Sequence, residues 1–374
     1  MSATTGGMHL RSLTGLRLYA ATAVVLYHLH LYFSPLRDGL SPFAYGFTGV
    51  SFFFILSGFV LAWAHQNGDR PQRFYWNRFS RVWPLHALTT LLAIFVPPLS
   101  TPTTVWPALP FVLTLTQSWA PIGGYVATFN GVSWSLSCEA FFYLLFPVLI
   151  GPIGRRRRLP LVVGLVYGAM AAVALSTMVS LPEPSANYLL GTIPLYRLGE
   201  FVVGICLAVL IKRGWRPRFG LRRAVCFAAI LYAMLIAASY VTSGGPGDVP
   251  IAYANLTMIP GFAAIIAAAA ANDLGGTGSA LGSTTMVRLG RWSFALYLIH
   301  ELVIRTAKPF VDALDAGWAL AASAGVVAVS VALSGVLHEF VESPVEKLLR
   351  SLGREKKAAA VPARDRVSGP TAAD

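Results

Sequence analysis

The residues of this sequence that could do chemistry are ionisable side chains placed inside long apolar segments. Arg17 and His28 lie eleven positions apart in one such segment. Eleven residues of an α-helix complete three turns plus about 20°, so both side chains are expected on one helix face, about 16 Å apart along the axis. A molecule with anionic groups at one end and a reactive centre on a long arm, such as an acyl-coenzyme A, would fit that spacing. The alternative is that Arg17 extends to the membrane surface and His28 makes only a structural hydrogen bond.

A second basic element precedes the third apolar segment. Arg78 and Arg81 are three residues apart and are therefore neighbours on a helix. Guanidinium groups bind phosphate oxygens through paired hydrogen bonds, so these two residues are a candidate site for the phosphates of the same donor. The alternative is an arginine pair without a ligand, because cytoplasmic loops of membrane proteins are generally basic.

Carboxylates and a second histidine complete the candidate set. Counted from the ends of their segments, His28, Glu139 and Glu200 are expected at one depth in the outer half of the membrane. His300 is expected near the middle. Glu139 could hold the imidazole of His28 in one tautomer and stabilise its protonated form, as a carboxylate does in hydrolase triads. The alternatives are that Glu139 pairs with an arginine such as Arg197 and that His300 is a hydrogen-bonded core residue.

The composition indicates the class of protein that must position these residues. Of 374 residues, 55% are hydrophobic and only 12% are charged, about half the charged share of a soluble domain. A helix needs roughly 20 mainly apolar residues to cross a bilayer, and most of the long charge-free runs reach that length. The sequence therefore predicts an all-α polytopic protein of the cell membrane. It excludes a soluble globular enzyme, a disordered chain and a nucleic-acid binder. The three cysteines lack metal-ligand spacing, so neither disulfides nor a metal site are expected.

Ten transmembrane helices are predicted, with both termini in the cytoplasm. This topology places 24 of the 29 Lys and Arg residues on the inner side, as short cytoplasmic loops require. Residues 105–119 are apolar but short and are expected to form an outer-face or re-entrant piece. We assign residues 1–344 to the transmembrane domain and residues 345–374 to a basic, partly disordered cytoplasmic tail. The predicted spans are residues 13–33, 46–66, 82–100, 132–151, 159–181, 193–212, 223–242, 254–272, 290–310 and 317–341.

Six stretches of the sequence form an ordered pattern. They are Leu13 to Arg17 followed by His28, Gly49 to Phe59, Phe74 to Arg81, Trp134 to Tyr143, Ser293 to His300, and Phe340 to Pro344. In this order they resemble the acyltransferase-3 family of integral membrane O-acyltransferases. The ten-span core of that family agrees with the number of spans counted from the apolar runs.

The resemblance implies roles for individual residues. His28 matches the essential histidine of the family and is expected to act as the general base. Glu139 matches a family acidic residue and is assigned with His28 to the catalytic group. The residues assigned to the acyl-donor site are Arg17, Arg78, Arg81 and His300.

The resemblance implies transfer of an acetyl or short acyl group from acetyl-CoA or another acyl-CoA to a hydroxyl group. Ser12 to Arg17 and Ser135 to Ala140 are similar to the actinobacterial branch that acylates macrolide and related antibiotic hydroxyls. The transfer needs a base, and burial favours the neutral imidazole that can accept the proton; an acyl-histidine intermediate is the other route. The alternatives are O-acetylation of a cell-envelope glycan and, in a different class, a proton-coupled transporter.

Overall fold

The structure is a computed structural model of the chain. It describes residues 10–36, 41–66, 68, 70–97, 105–122, 124–243, 245, 247–276 and 278–359. Within these ranges the regular structure is helical and contains no β-strand. The helices are α1 (Arg11–Tyr32), α2 (Gly49–Ala64), α3 (Pro71–Ala93), α4 (Leu109–Leu113), α5 (Trp134–Arg155), α6 (Leu159–Ser180), α7 (Glu183–Gly191), α8 (Pro194–Lys212), α9 (Leu221–Ser243), α10 (Ile251–Leu274), α11 (Thr284–Val311), α12 (Ala316–Leu337) and α13 (Ser343–Ala359).

The protein is an all-α membrane protein. In the described part of the chain, seven helical segments are long and apolar enough to cross a bilayer, and they contain α2, α5, α6, α8, α9, α10 and α12. The predicted spans on α1, α3 and α11 are not among them. These three helices have 22, 23 and 28 residues, but they carry most of the ionisable side chains that the sequence marks as functional. The total of ten spans and the cytoplasmic termini stay predictions.

The helices differ strongly in how much of their surface the protein covers. The apolar windows around α2, α8 and α10 are 72%, 67% and 61% buried, whereas those of α6 and α9 are only 17% and 22% buried. The first three helices therefore form the centre, and α6 and α9 lie at the periphery. Small residues permit the closest central contact, because Gly58 on α2 packs against backbone atoms of α8 and Gly204 on α8 packs against backbone atoms of α2.

Helices α1 and α11 also lie side by side, and this pairing positions the site. Gly290 of α11 approaches the backbone of Thr14 so closely that a Cβ atom would overlap it. Further along the same pair of helices, Leu296 of α11 packs against Ala21 and Val25 of α1. Polar residues of α1 and α11 are consequently brought together at more than one level of the bundle.

Two segments clarify the boundaries expected from the sequence. Helix α3 begins at Pro71 and ends at Ala93. It starts eleven residues before the predicted span, because the stretch with Arg78 and Arg81, expected to be helical, is continuous with the apolar segment. Proline at the first helical position supports that start. Between residues 105 and 119 the chain forms short 3₁₀ turns and the five-residue α4, which agrees with a piece that does not span.

The C-terminal tail begins as a helix. Helix α13 follows a π-helical turn at His338–Glu342 and packs against the start of α3, where the indole Nε1 of Trp76 donates to the Leu349 carbonyl oxygen at 2.7 Å. Residues 360–374, which carry the remainder of the predicted disordered tail, lie outside the described residues. The proposed boundary at residue 344 stays a prediction.

Candidate active site

A cavity lies among α1, α2, α3, α5 and α11. All three arginines predicted to bind the donor line it, although they come from two helices. Its polar lining residues include Arg17, Arg78, Arg81, Glu139, Tyr143 and Ser293. We refer to it below as the arginine cavity.

Two of the arginines keep their charge available to a ligand. The Nε of Arg17 donates to Ser293 Oγ at 3.1 Å, and its guanidinium lies over the ring of Phe53. The guanidinium of Arg78 lies near the rings of Phe74 and Tyr143. Neither arginine forms an ion pair with a carboxylate of the described residues. An anion in the cavity would meet both guanidinium groups, whose positive charge exceeds the single negative charge of Glu139 in the same lining.

Arg81 differs because carboxylates already hold it. Its guanidinium forms ion pairs with Glu342 and, at 3.1 Å, with Glu346. Glu342 in turn accepts a hydrogen bond from Nδ1 of His338 at 2.9 Å. The π-helical turn and α13 therefore fix the orientation of Arg81 at the edge of the cavity, and its net attraction for an anion is weaker than that of Arg17 or Arg78.

Glu139 does not take the position expected of a partner for His28. It lines the arginine cavity and accepts a hydrogen bond from Tyr143 at 2.6 Å, and no described contact joins it to the imidazole. The alternative pairing with Arg197 is also absent from the described contacts, because Arg197 forms its ion pair with Glu200 at 3.1 Å. Glu139 thus sits among the arginines, and its predicted catalytic role through His28 lacks a structural basis.

The partner of His28 is His300. The Nε2 atom of His300 lies 3.0 Å from Nδ1 of His28, and the His300 ring is fully buried. His300 does not line the arginine cavity, so the structure separates it from the donor residues with which the sequence grouped it. Side-chain spacing gave no indication of this contact, because the two histidines are 272 positions apart.

The carbonyl groups around the two rings determine their tautomers. Nδ1 of His300 lies 3.0 Å from the Leu296 carbonyl oxygen, and Nδ1 of His28 lies 3.0 Å from the Val24 carbonyl oxygen. A carbonyl can only accept, so in the neutral rings each Nδ1 carries the proton. The Nε2 of His300 is then an acceptor for the Nδ1 proton of His28. This assignment leaves Nε2 of His28 unprotonated, which is the form that a general base requires.

His28 faces a second cavity, with about 1760 Å³ of empty space, near the opposite end of α1. We refer to it as the histidine cavity. Val50 and Tyr297 line both cavities, so these two side chains lie between them. Arg17 and His28 both face the interior, as predicted from their spacing, but each lines a different cavity. The histidine cavity is lined in part by Tyr27, His28, Tyr32, Phe47, Arg197 and Asn255.

Two further ionisable residues of α11 have structural partners. The Glu301 carboxylate accepts from the backbone N–H groups of Gly131 and Val132 at 3.3 and 2.9 Å. Arg305 is buried and donates to three backbone carbonyls, including that of Phe129 at 2.6 Å. Glu301 and Arg305 thus anchor α11 to the connections that precede α4 and α5. This anchoring holds the neighbouring His300 in place.

Comparison with known proteins agrees with this architecture. A family model described as "Acyltransferase domain" matches residues 10–335. The chain therefore belongs to the acyltransferase-3 family of integral membrane acyltransferases, and it is a multi-pass membrane protein.

Two relatives extend the comparison. The chain is 36% identical over 389 aligned positions to Acyltransferase MdmB of Streptomyces mycarofaciens, covering 95% of each chain. It is 28% identical over 227 positions to Putative acetyltransferase ORF330 of Acidianus two-tailed virus, covering 60% of this chain and 64% of that protein. No solved structure matches significantly.

Proposed function

We propose that this protein is an O-acyltransferase that moves an acetyl or short acyl group from an acyl-CoA to a hydroxyl group, with His28 as the general base. The observation that carries the proposal is the position of His28. Its tautomer leaves Nε2 free, and it lines a cavity that shares the lining residues Val50 and Tyr297 with the arginine cavity. A base thus lines the neighbour of a cavity whose charge suits an anionic donor.

The arginine cavity suits the phosphates of the donor. Arg17 and Arg78 would bind phosphate oxygens, because neither is paired with a carboxylate of the described residues. Arg81 is already held by Glu342 and Glu346. It would therefore contribute less to the binding energy of the donor and more to the orientation of its phosphates. For the pantetheine arm of the donor to reach His28, it would have to pass between the two cavities at Val50 and Tyr297.

The proposed reaction involves Nε2 of His28, the acceptor hydroxyl and the thioester carbonyl carbon of the donor. Nε2 of His28 takes the proton of the acceptor hydroxyl while the hydroxyl oxygen forms a bond to the thioester carbonyl carbon. The carbon–sulfur bond then breaks, and the proton passes from His28 to the leaving thiolate. His300 stabilises the transient imidazolium because its Nε2 accepts from Nδ1 of His28. Transfer through an acyl-histidine is the competing route.

The histidine cavity supports an acceptor larger than a simple alcohol. Its lining combines aromatic rings, including Tyr27, Tyr32 and Phe47, with the polar groups of Arg197 and Asn255. A macrolide-type antibiotic presents both an apolar ring and several hydroxyls, and such an acceptor agrees with the resemblance to the macrolide branch.

The test is acyl transfer by the purified protein. Acetyl-CoA and a panel of macrolides and glycans are supplied, and release of free thiol that depends on an acceptor is measured. Replacing His28 by alanine should lower turnover by about 10²- to 10⁴-fold, the usual contribution of a general base. His30→Ala is the matched control, because His30 lies on the same helix and lines neither cavity. Turnover retained in His28→Ala, or no thiol release with any acceptor, would contradict the proposal.

A further inference from the structure

A third cleft, with about 1320 Å³ of empty space, lies apart from the two cavities of the proposed reaction. It is formed where the first turn of α1 meets the start of α11, the π-helical turn and α13. It has no lining residue in common with the arginine cavity or the histidine cavity. Its lining includes Arg11, Arg288, Arg291, Trp292, Glu339 and Lys347.

The cleft has a strong excess of positive charge. Three arginines and one lysine line it, against the single carboxylate of Glu339. That carboxylate forms an ion pair with Arg288, at 3.8 Å between Nε and Oε1, and accepts a hydrogen bond from Nε1 of Trp292 at 3.4 Å. In the part of the chain that the structure describes, Arg291 and Lys347 form no ion pair at all. An anionic ligand would therefore gain several charge interactions that the protein leaves unused.

The surface next to the cleft is apolar and exposed. Leu333, Val336 and Phe340 are 39%, 52% and 75% exposed, and their spacing places them along one side of α12 and the π-helical turn. Phe340 directly follows Glu339 of the cleft. A ligand that fits both surfaces has an anionic head and apolar chains.

We propose that this cleft binds the phosphate of an anionic phospholipid, with the acyl chains lying along Leu333, Val336 and Phe340. The cleft lies at the end of the bundle where the predicted topology collects basic residues, and basic pockets between helices at that surface suit lipid head groups. Trp292 provides an aromatic ring at the same level. The ligand differs from the acyl donor, and the inference does not depend on the proposed reaction.

The experiment measures the melting temperature of the full-length protein in neutral detergent with added phosphatidylglycerol or phosphatidylcholine. Phosphatidylglycerol should raise the melting temperature because it binds the folded protein, and phosphatidylcholine should not. In Arg288→Gln/Arg291→Gln the apparent affinity for phosphatidylglycerol should fall about 30-fold. The matched control is Arg222→Gln/Arg223→Gln, which removes two exposed arginines at the start of α9 and should behave like the wild type.

Two further measurements distinguish a lipid phosphate from a free or nucleotide phosphate. Inorganic phosphate and adenosine 3′,5′-bisphosphate are tested in place of lipid on the wild type and on the Arg288→Gln/Arg291→Gln protein. A loss of stabilisation by either compound in the double variant as large as the loss for phosphatidylglycerol would overturn the lipid assignment, because binding in the arginine cavity does not involve these two residues. Equal stabilisation of the wild type and the Arg288→Gln/Arg291→Gln protein by phosphatidylglycerol would also overturn it. If the double variant does not fold, the single change Lys347→Gln on exposed α13 gives the same comparison, with a smaller expected loss of affinity.

Discussion

Two replacements of His300 test separately whether the reaction needs its hydrogen-bond acceptor or only the volume of its side chain. Leucine at this position fills part of the buried space but cannot accept the Nδ1 proton of His28, whereas glutamine can present an amide oxygen near the same point. When His28 becomes protonated, the hydrogen bond to His300 becomes charge-assisted, and such bonds contribute about 1.5–3 kcal/mol. The Val24 carbonyl, also 3.0 Å from Nδ1 of His28, remains as a second acceptor. We therefore expect kcat to fall about 10- to 30-fold in His300→Leu, the lower part of the range that these energies imply.

The assay is thiol release at saturating acyl-CoA and saturating acceptor, with full titrations of both substrates. The KM for acyl-CoA should stay unchanged, because His300 does not line the arginine cavity. His300→Gln should recover kcat to within about threefold of the wild type, because the acceptor is restored. Size-exclusion behaviour and melting temperature of both variants serve as the folding control.

Two results would refute the reasoning. Equal losses in His300→Leu and His300→Gln would mean that the shape of the ring matters and its acceptor nitrogen does not. Wild-type kcat in His300→Leu would mean that His28 works without this partner, and the hydrogen bond between the two histidines would then have no part in the reaction.

The other expected outcomes concern the donor site and the helix core. Arg78→Gln should raise the KM for acyl-CoA about tenfold with little change in kcat, because a charged hydrogen bond to the donor is lost; an unchanged KM would remove Arg78 from the donor site. Gly204→Ala should destabilise the protein by about 1–3 kcal/mol, since the added Cβ would overlap the backbone of Ile55 and α2 cannot easily move. Gly164→Ala on peripheral α6 is its control, because nothing lies within 4 Å of that Cβ, and the two melting temperatures should differ by several degrees.

Helix positions could be predicted best where apolar runs end at strong breaks. Residues 159–181 and 193–212 were expected as spans, and the structure has helices at Leu159–Ser180 and Pro194–Lys212. Both runs are free of internal breaks and begin near a proline. Helix α3 begins eleven residues before the predicted span, since the stretch with Arg78 and Arg81, expected to be helical, joins the apolar segment and Pro71 marks the helix start.

The sequence predicted which site residues share one face of a helix. It did not predict which residues of different helices are in contact. Arg17 and Arg78 line one cavity as expected, and His28 faces the interior. The contact of His28 with His300 depends on how α1 packs against α11, and no periodicity encodes which of several buried carboxylates or imidazoles will face a given ring. For the same reason Glu139 was assigned to the wrong partner. The identity of the family, in contrast, could be recognised from the sequence, because six ordered stretches carry it.

The ion pairs of Arg81 have a consequence for how the protein is made. Glu342 and Glu346 are more than 260 positions downstream of Arg81, so they leave the ribosome after nearly every transmembrane helix has been synthesised. A nascent chain therefore cannot fix the orientation of Arg81 at the edge of the arginine cavity until its last segment folds back onto α3. Chains shortened before residue 342 should accumulate in the membrane with Arg81 lacking both carboxylate partners.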